Sequence, residues 1–183
     1  MKKYFLSVLI LISLVTSGYV KPDVYKIDAE KNAFSHNNLG LMYLNEKCYY
    51  AAIQEFKIAI SLADETQASS VYYKNLGDTY MAIAYPDWAQ DCYERAIKIY
   101  SLNFQYYRDL AKCYKARKII PQKMNEYRNS DNPLSQVMLG LLKVESGDIK
   151  GGIITLDAFA SQEPDLIITP AIKSYIKDIV KKL

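Results

Sequence analysis

Along most of the chain apolar residues return at three- and four-residue intervals, which places them on one stripe of a helix and not on the alternating face of a strand. These stripes are themselves repeated. Leu39-Gly40 is followed by Tyr43, Leu76-Gly77 by Tyr80 and Leu110-Ala111 by Tyr114, and Leu139-Gly140 makes a fourth pair. Downstream, Ala52, Phe56 and Ala59 reappear as Ala89, Tyr93 and Ala96, displaced by the same 37 residues as the first two glycines. The next step is 34 residues, from Gly77 to Ala111 and from Tyr93 to Tyr127, and the last shortens to 29, from Ala111 to Gly140. Matches in register at two places per unit predict a repeated pair of antiparallel helices. Small residues at the Gly40 and Ala52 positions let the two helices approach, while Leu39, Tyr43 and Phe56 fill the space beside the contact. One hairpin cannot bury its own apolar face, so the units must stack and the stack must be closed. The closing helix runs from Pro170 to Leu183, with Ile172, Tyr175, Ile176, Ile179, Val180 and Leu183 on one side and Lys173, Lys177, Asp178, Lys181 and Lys182 on the other.

Composition narrows the chemistry. A length of 183 residues suits one domain with a real core. His36 is the only histidine, and with Cys48, Cys92 and Cys113 it cannot assemble a His-rich metal centre or a spaced zinc site. A formal charge of +3 is too small for an electrostatic nucleic-acid binder. The seventeen tyrosines are the compositional excess, and Tyr43, Tyr73, Tyr80, Tyr93, Tyr107, Tyr114 and Tyr127 all fall on packing positions of the repeat. The excess is therefore mainly architectural.

The N-terminus follows a different rule. Met1-Lys2-Lys3, the apolar run Tyr4 to Val15 and then Thr16-Ser17-Gly18 have the order of a secretory signal peptide, residues 1–18, with cleavage after Ser17 or Gly18. The run is too short for a comfortable membrane span of about 20 apolar residues. An uncleaved inner-membrane anchor over residues 4–15 is the alternative. No Cys follows the run, which argues against a lipid anchor. Losing Lys2 and Lys3 would leave a mature charge of +1. Export would place the cysteines in an oxidising compartment, but three at irregular spacing do not make a disulfide framework. Cys92 and Cys113 read as buried free thiols, with pairing across adjacent helices as the alternative.

On these residues the chain resembles the tetratricopeptide repeat family, of an exported bacterial type. The first unit, residues 33–66, supplies His36, Leu39, Gly40, Tyr43, Ala52, Phe56 and Ala59, and the second, residues 70–103, supplies Tyr73, Leu76, Gly77, Tyr80, Ala89, Tyr93 and Ala96. The third, residues 104–132, keeps Tyr107, Leu110, Ala111, Tyr114 and Tyr127 but has Lys123 where a small residue is expected. The fourth, residues 133–165, keeps Leu139, Gly140, Gly152, Leu156, Phe159 and Pro164, with Lys143 in the tyrosine position. Residues 19–32 form a lead-in and the start of the first helix, and residues 170–183 cap the stack. The fold implied is all-α: a right-handed superhelical solenoid of antiparallel helix pairs, about four repeats plus the cap. Sel1-like repeats compete within the same class.

The resemblance implies a concave groove lined by the first helix of each pair, and a partner protein or peptide held there. The positions carried across are Phe34, Asn37, Leu41, Leu44 and Asn45 in the first unit and Val71, Lys74, Asn75, Asp78 and Met81 in the second. Gln105, Arg108, Lys112 and Lys115 follow in the third, and Leu134, Val137, Leu141 and Val144 in the fourth. Arg108, Lys112 and Lys115 stand at i, i+4 and i+7 and form one basic stripe, suited to a partner with acidic groups; a plain solvated helix face is the alternative. The two-carboxylate clamp that some members use for chaperone tails is largely missing. Asn75 fits it, but Asn37, Leu41, Gln105 and Asp109 replace its other residues.

Enzyme readings fare poorly. No Cys has a His nearby in sequence to act as base, Asp64 and Glu65 sit in a loop between units, and Gly151-Gly152 lacks the Lys and Ser/Thr of a phosphate loop. Asp148 ahead of it reads as an N-cap. The expectation is a non-enzymatic interaction scaffold in the periplasm or secreted, needing no cofactor or metal and binding no nucleic acid. It would touch membrane only if the leader stays attached. A self-assembling structural module, in which homo-oligomers stack through an exposed face, is the alternative, and a cell-envelope enzyme the remote one.

Overall fold

The structure is a computed structural model that describes residues 29–182. The leader expected over residues 1–18 lies outside the described residues. Eight helices form four pairs: α1 (Ala29–Asn45) with α2 (Tyr49–Leu62), α3 (Gln67–Ala82) with α4 (Pro86–Ile99), α5 (Phe104–Ala116) with α6 (Ile120–Arg128), and α7 (Ser135–Ser146) with α8 (Ile149–Gln162). A ninth, α9 (Thr169–Val180), packs on α8, and no strand occurs among the described residues. None of these helices is long and apolar enough to cross a membrane.

The hairpin contact is the one the small residues dictate. A Cβ added to Gly40 would fall 2.6 Å from the Phe56 ring, one on Gly77 2.7 Å from the Tyr93 ring, and one on Gly140 2.6 Å from Leu156. Real Cβ atoms do not approach so closely, so glycine is what lets a large side chain of the second helix press on the first. In the fourth pair Gly152 adds a backbone approach, since its Cβ would meet the Gly140 carbonyl at 2.8 Å. Phe56, Tyr93, Leu110, Tyr114, Met138, Leu141, Leu142, Leu156, Ile168 and Ile172 are buried in one continuous core.

The turn inside each pair is also repeated. Lys47, Ala84 and Lys118 adopt φ of 61°, 62° and 59°, and Gly147 adopts 100°. These four residues are related by the repeat steps themselves. The N–H after each of the first three returns to a carbonyl five residues back, Cys48 to Tyr43 at 2.8 Å, Tyr85 to Tyr80 at 2.9 Å and Ile119 to Tyr114 at 3.1 Å, which closes a Schellman-type helix end. Only the fourth turn uses the glycine this backbone favours; the other three carry strain of roughly 1–2 kcal/mol each. Helix starts are capped by Thr66, Asn103 and Asp148, whose side-chain oxygens accept from the N–H groups of Ser69, Gln105 and Gly151. Pro86, Pro121 and Pro170 occupy first-turn positions of α4, α6 and α9.

The third pair is open. In pairs one, two and four the two helices pack along their lengths, whereas α6 packs chiefly on α7, and α7 lies directly on α5. Two residues explain it: Ala111 brings a methyl where the others have glycine, and Lys123 stands where Ala52, Ala89 and Gly152 stand. The Lys123 ammonium lies 5.3 Å from the Tyr114 ring centroid and 2.7 Å from Glu126, so its stem holds the helices apart. Tyr127 cannot press on α5 as Tyr93 presses on α3. Its hydroxyl instead meets that of Tyr114 at 3.2 Å, and a cavity of about 240 Å³ remains, lined by Glu94, Tyr107, Leu110, Tyr127 and Leu134 among others.

Candidate functional site

The first helices lie side by side, α1 with α3, α3 with α5 and α5 with α7, so residues on their shared face come together from positions about 30 to 40 apart in sequence. Asn37 and Asn75, both expected at the groove, are buried there, and the Asn75 amide donates to Asn37 Oδ1 at 2.8 Å. A ligand reaching them must break that bond. Asp78 is similarly engaged: Oδ2 accepts from the Lys74 ammonium at 2.5 Å and Oδ1 from the Tyr93 hydroxyl at 2.8 Å. Leu41 is half-buried against the core.

Asp109 is the anomaly of this face. Its Oδ1 accepts from the Gln105 amide at 2.7 Å and has Lys112 at 3.9 Å, while Oδ2 is buried with no hydrogen-bond donor. Among the described residues it is the one buried side-chain oxygen or nitrogen so left. Burial, and then the Asp78 charge, push its carboxyl above the ordinary carboxylate range, against the pull of Lys74, Gln105 and Lys112. A buried acceptor without a donor is destabilising and calls for an explanation.

The basic stripe of α5 exists but is divided by its neighbours. Arg108 does not face solvent freely: its guanidinium donates to Gln105 Oε1 at 3.1 Å and lies over the Tyr175 ring of α9, 4.8 Å from the centroid. Lys115 reaches Glu145 of α7 at 3.0 Å. The side chains of Lys112 and Lys115 stay 52 % and 60 % exposed, so their ion pairs are weak and exchangeable. Phe34 and Val71 are exposed, whereas Val137 and Leu141, expected at the apolar end of the groove, are buried in the core. The reason is the open third pair: α7 is covered by α5 on one side and α6 on the other.

The groups weighed for catalysis take other roles. His36 Nδ1 lies 2.6 Å from Glu55 Oε2 at a half-buried packing position. Cys92 and Cys113 are free and buried, with burial pushing their thiols up to about 12 and about 11, and Cys113 donates to the Pro86 carbonyl at 3.0 Å. Thiols so protonated are poor nucleophiles. No three His, Cys, Asp or Glu side chains are grouped to hold a metal ion among the described residues.

Sequence reasoning missed Glu145 as a partner of the stripe and Tyr175 as its cover. Neither had a local signal, since each is brought to α5 by the stacking of later helices. The left-handed turn residues did have one, because the repeat steps carry Gly147 back onto Lys118, Ala84 and Lys47.

No protein-family model matches the sequence, and no curated protein matches it. Solved structures do. PilF of Pseudomonas aeruginosa aligns at a TM-score of 0.50 with 17% identity, over 81% of this chain and 68% of that one. The TPR domain of Arabidopsis OM64 aligns at 0.49 with 13% identity, over 73% and 98%, and YrrB, described as a TPR protein with an unusual peptide-binding site, at 0.47 with 14% identity, over 78% and 74%. At 17% identity the likeness to PilF concerns the fold alone. The chain is an all-α solenoid of stacked helix pairs, tetratricopeptide-repeat-like in its repeated contacts.

Proposed function

We propose that this protein is a non-enzymatic interaction module that holds a segment of another protein against the face formed by α1, α3, α5 and α7, and that it does so in the cell envelope after export. The observation that carries the reading is the centre of that face. There Lys112 and Lys115 are exposed, tied only to Asp109 and Glu145, beside a buried carboxylate oxygen that has no donor. A partner carboxylate can exchange into the two lysine pairs, so binding replaces ion pairs that the free chain leaves weak. The basic start and apolar run ahead of the repeats support export.

The test is charge reversal. Lys112→Glu with Lys115→Glu should lower affinity for the captured envelope partner at least tenfold while leaving the melting temperature within a few degrees, and unchanged affinity would remove the face from the account. A second reading, self-assembly, is favoured by the exposed Tyr50, Tyr85 and Trp88 around a groove of about 350 Å³ on the α2 and α4 side. Sedimentation separates the two: a monomer at micromolar concentration supports the partner reading, and a stable oligomer that Trp88→Ala dissociates supports self-assembly.

A further inference from the structure

The helix expected only to cap the stack also reaches back to the candidate face. The Tyr175 ring of α9 meets the Phe104 ring of α5 edge-on, centroids 5.4 Å apart, and takes the Arg108 guanidinium on its other contact at 4.8 Å. Asp178, one helical turn further, borders the same groove, which is lined by Gln105, Arg108, Ser174 and Tyr175 among others and keeps about 280 Å³ unfilled. The two halves of α9 are held very differently. Ile168, Thr169 and Ile172 at its start are buried almost completely, whereas Tyr175, Ile176 and Ile179 are half-buried and Val180, Lys181 and Lys182 are exposed. The first half anchors the helix. The second half meets α5 through the Tyr175 ring, with half-buried Ile176 packed at the edge of the core.

We propose that Phe104 and Arg108 form an acceptor site for an aromatic residue followed one helical turn later by an acidic one, and that Tyr175 and Asp178 of α9 are its intramolecular stand-in. The proposal rests on the interaction-module reading and names the chemistry of the partner. Phe104 offers a ring for an edge-on aromatic contact, and Arg108 offers a flat cation that stacks on the same ring. Arg108 and the neighbouring Lys112 make the rim positive, which matches a following carboxylate. The unfilled volume beside Tyr175 means the stand-in fits incompletely, so a better-fitting segment can displace it without moving the buried anchors. A partner then competes with the distal half of α9, and its apparent affinity is reduced by the fraction of chains in which that half is closed.

The experiment uses the full chain and a fluorescein-labelled peptide of residues 173–183, which carries Tyr175 and Asp178 but not the anchors. Fluorescence anisotropy should show weak binding to the unmodified chain and at least tenfold tighter binding to Tyr175→Ala, whose own ring no longer fills the site. Adding Arg108→Ala should cancel the gain, and Tyr175→Phe, which keeps the ring, should behave as the unmodified chain. Circular dichroism and melting report whether each variant is folded. If Tyr175→Ala does not fold, Arg108→Ala alone keeps the question open to measurement, because removing the stacked cation should speed amide exchange over residues 174–182 at least fivefold and leave residues 168–172 unchanged. Equal peptide affinity for the unmodified chain and folded Tyr175→Ala, or equal exchange in Arg108→Ala, overturns the stand-in role but leaves the interaction module standing. Partner binding insensitive to Lys112 and Lys115 reversal, with the peptide results as expected, removes that module and leaves a closing contact within the chain.

Discussion

The second and third helix pairs carry nearly the same packing residues and fold differently. Tyr73, Leu76, Tyr80 and Tyr93 of the second have counterparts in Tyr107, Leu110, Tyr114 and Tyr127 of the third. Yet Tyr93 is buried against Gly77, and Tyr127 stays half-exposed beside Lys123. Two side chains, the Ala111 methyl and the Lys123 stem, decide between a closed pair and an open one. Opening the pair lets α7 settle directly on α5 and leaves a cavity behind Tyr127. The features that suggest function gather on α5: the donorless Asp109 oxygen, the exchangeable lysines and the ring of α9 over Arg108. They sit where the repeat departs from its own pattern, which is where local consistency is expected to yield to function.

The largest test of that contrast is truncation of the two equivalent tyrosines. Tyr93→Ala should cost about 3–5 kcal/mol in urea unfolding, the range for removing a buried aromatic, and Tyr127→Ala only about 1 kcal/mol. Equal losses would mean that the third pair is closed in solution.

Asp109→Asn sharpens the comparison through pH. The folded carboxyl holds its proton to higher pH than the unfolded one, because burial and Asp78 oppose its charge. The folded state therefore binds more protons in the window above the ordinary carboxylate range, and stability falls as pH rises through that window and stays lower beyond it. Asp109→Asn should be stabilising at neutral pH and lose its advantage in acid, read as melting temperature against pH. A gain independent of pH would contradict the assigned cause.

The turns offer a smaller effect in both pairs alike. Ala84→Gly and Lys118→Gly relieve a left-handed backbone and should each stabilise by about 0.5–1 kcal/mol, the strain relieved being partly offset by the added freedom of glycine in the unfolded chain. Smallest of all is Lys115→Ala, which removes an ion pair to Glu145 whose lysine is 60 % exposed and should shift stability by roughly 0.2–1 kcal/mol, less at high salt.

Much of the architecture was legible because the repeat writes each contact several times. Gly40 with Phe56 and Gly77 with Tyr93 could be read from spacing alone, and Lys123 already marked the third pair as different. What could not be read is what the repeats do to one another. Whether Asn37 faces a ligand or its neighbour Asn75 depends on the lateral placement of α1 against α3. Val137 and Leu141 looked like an apolar groove end, and became core because α7 moved into the space that an open pair vacates. Arg108 reads as one member of a solvated stripe until α9, some seventy residues later, lays Tyr175 on it. Long-range geometry of this kind leaves no periodic trace.

The proposal that the α5 face meets a partner is tested most directly by paired photo-crosslinking in the native cell, with a photoreactive residue at Lys112 in one chain and at Gln54, on the α2 side, in the other. One discrete crosslinked protein is expected from position 112, abolished by Lys115→Glu, and none from position 54. Crosslinks from position 54 alone, or only to a second copy of the same chain, would contradict it.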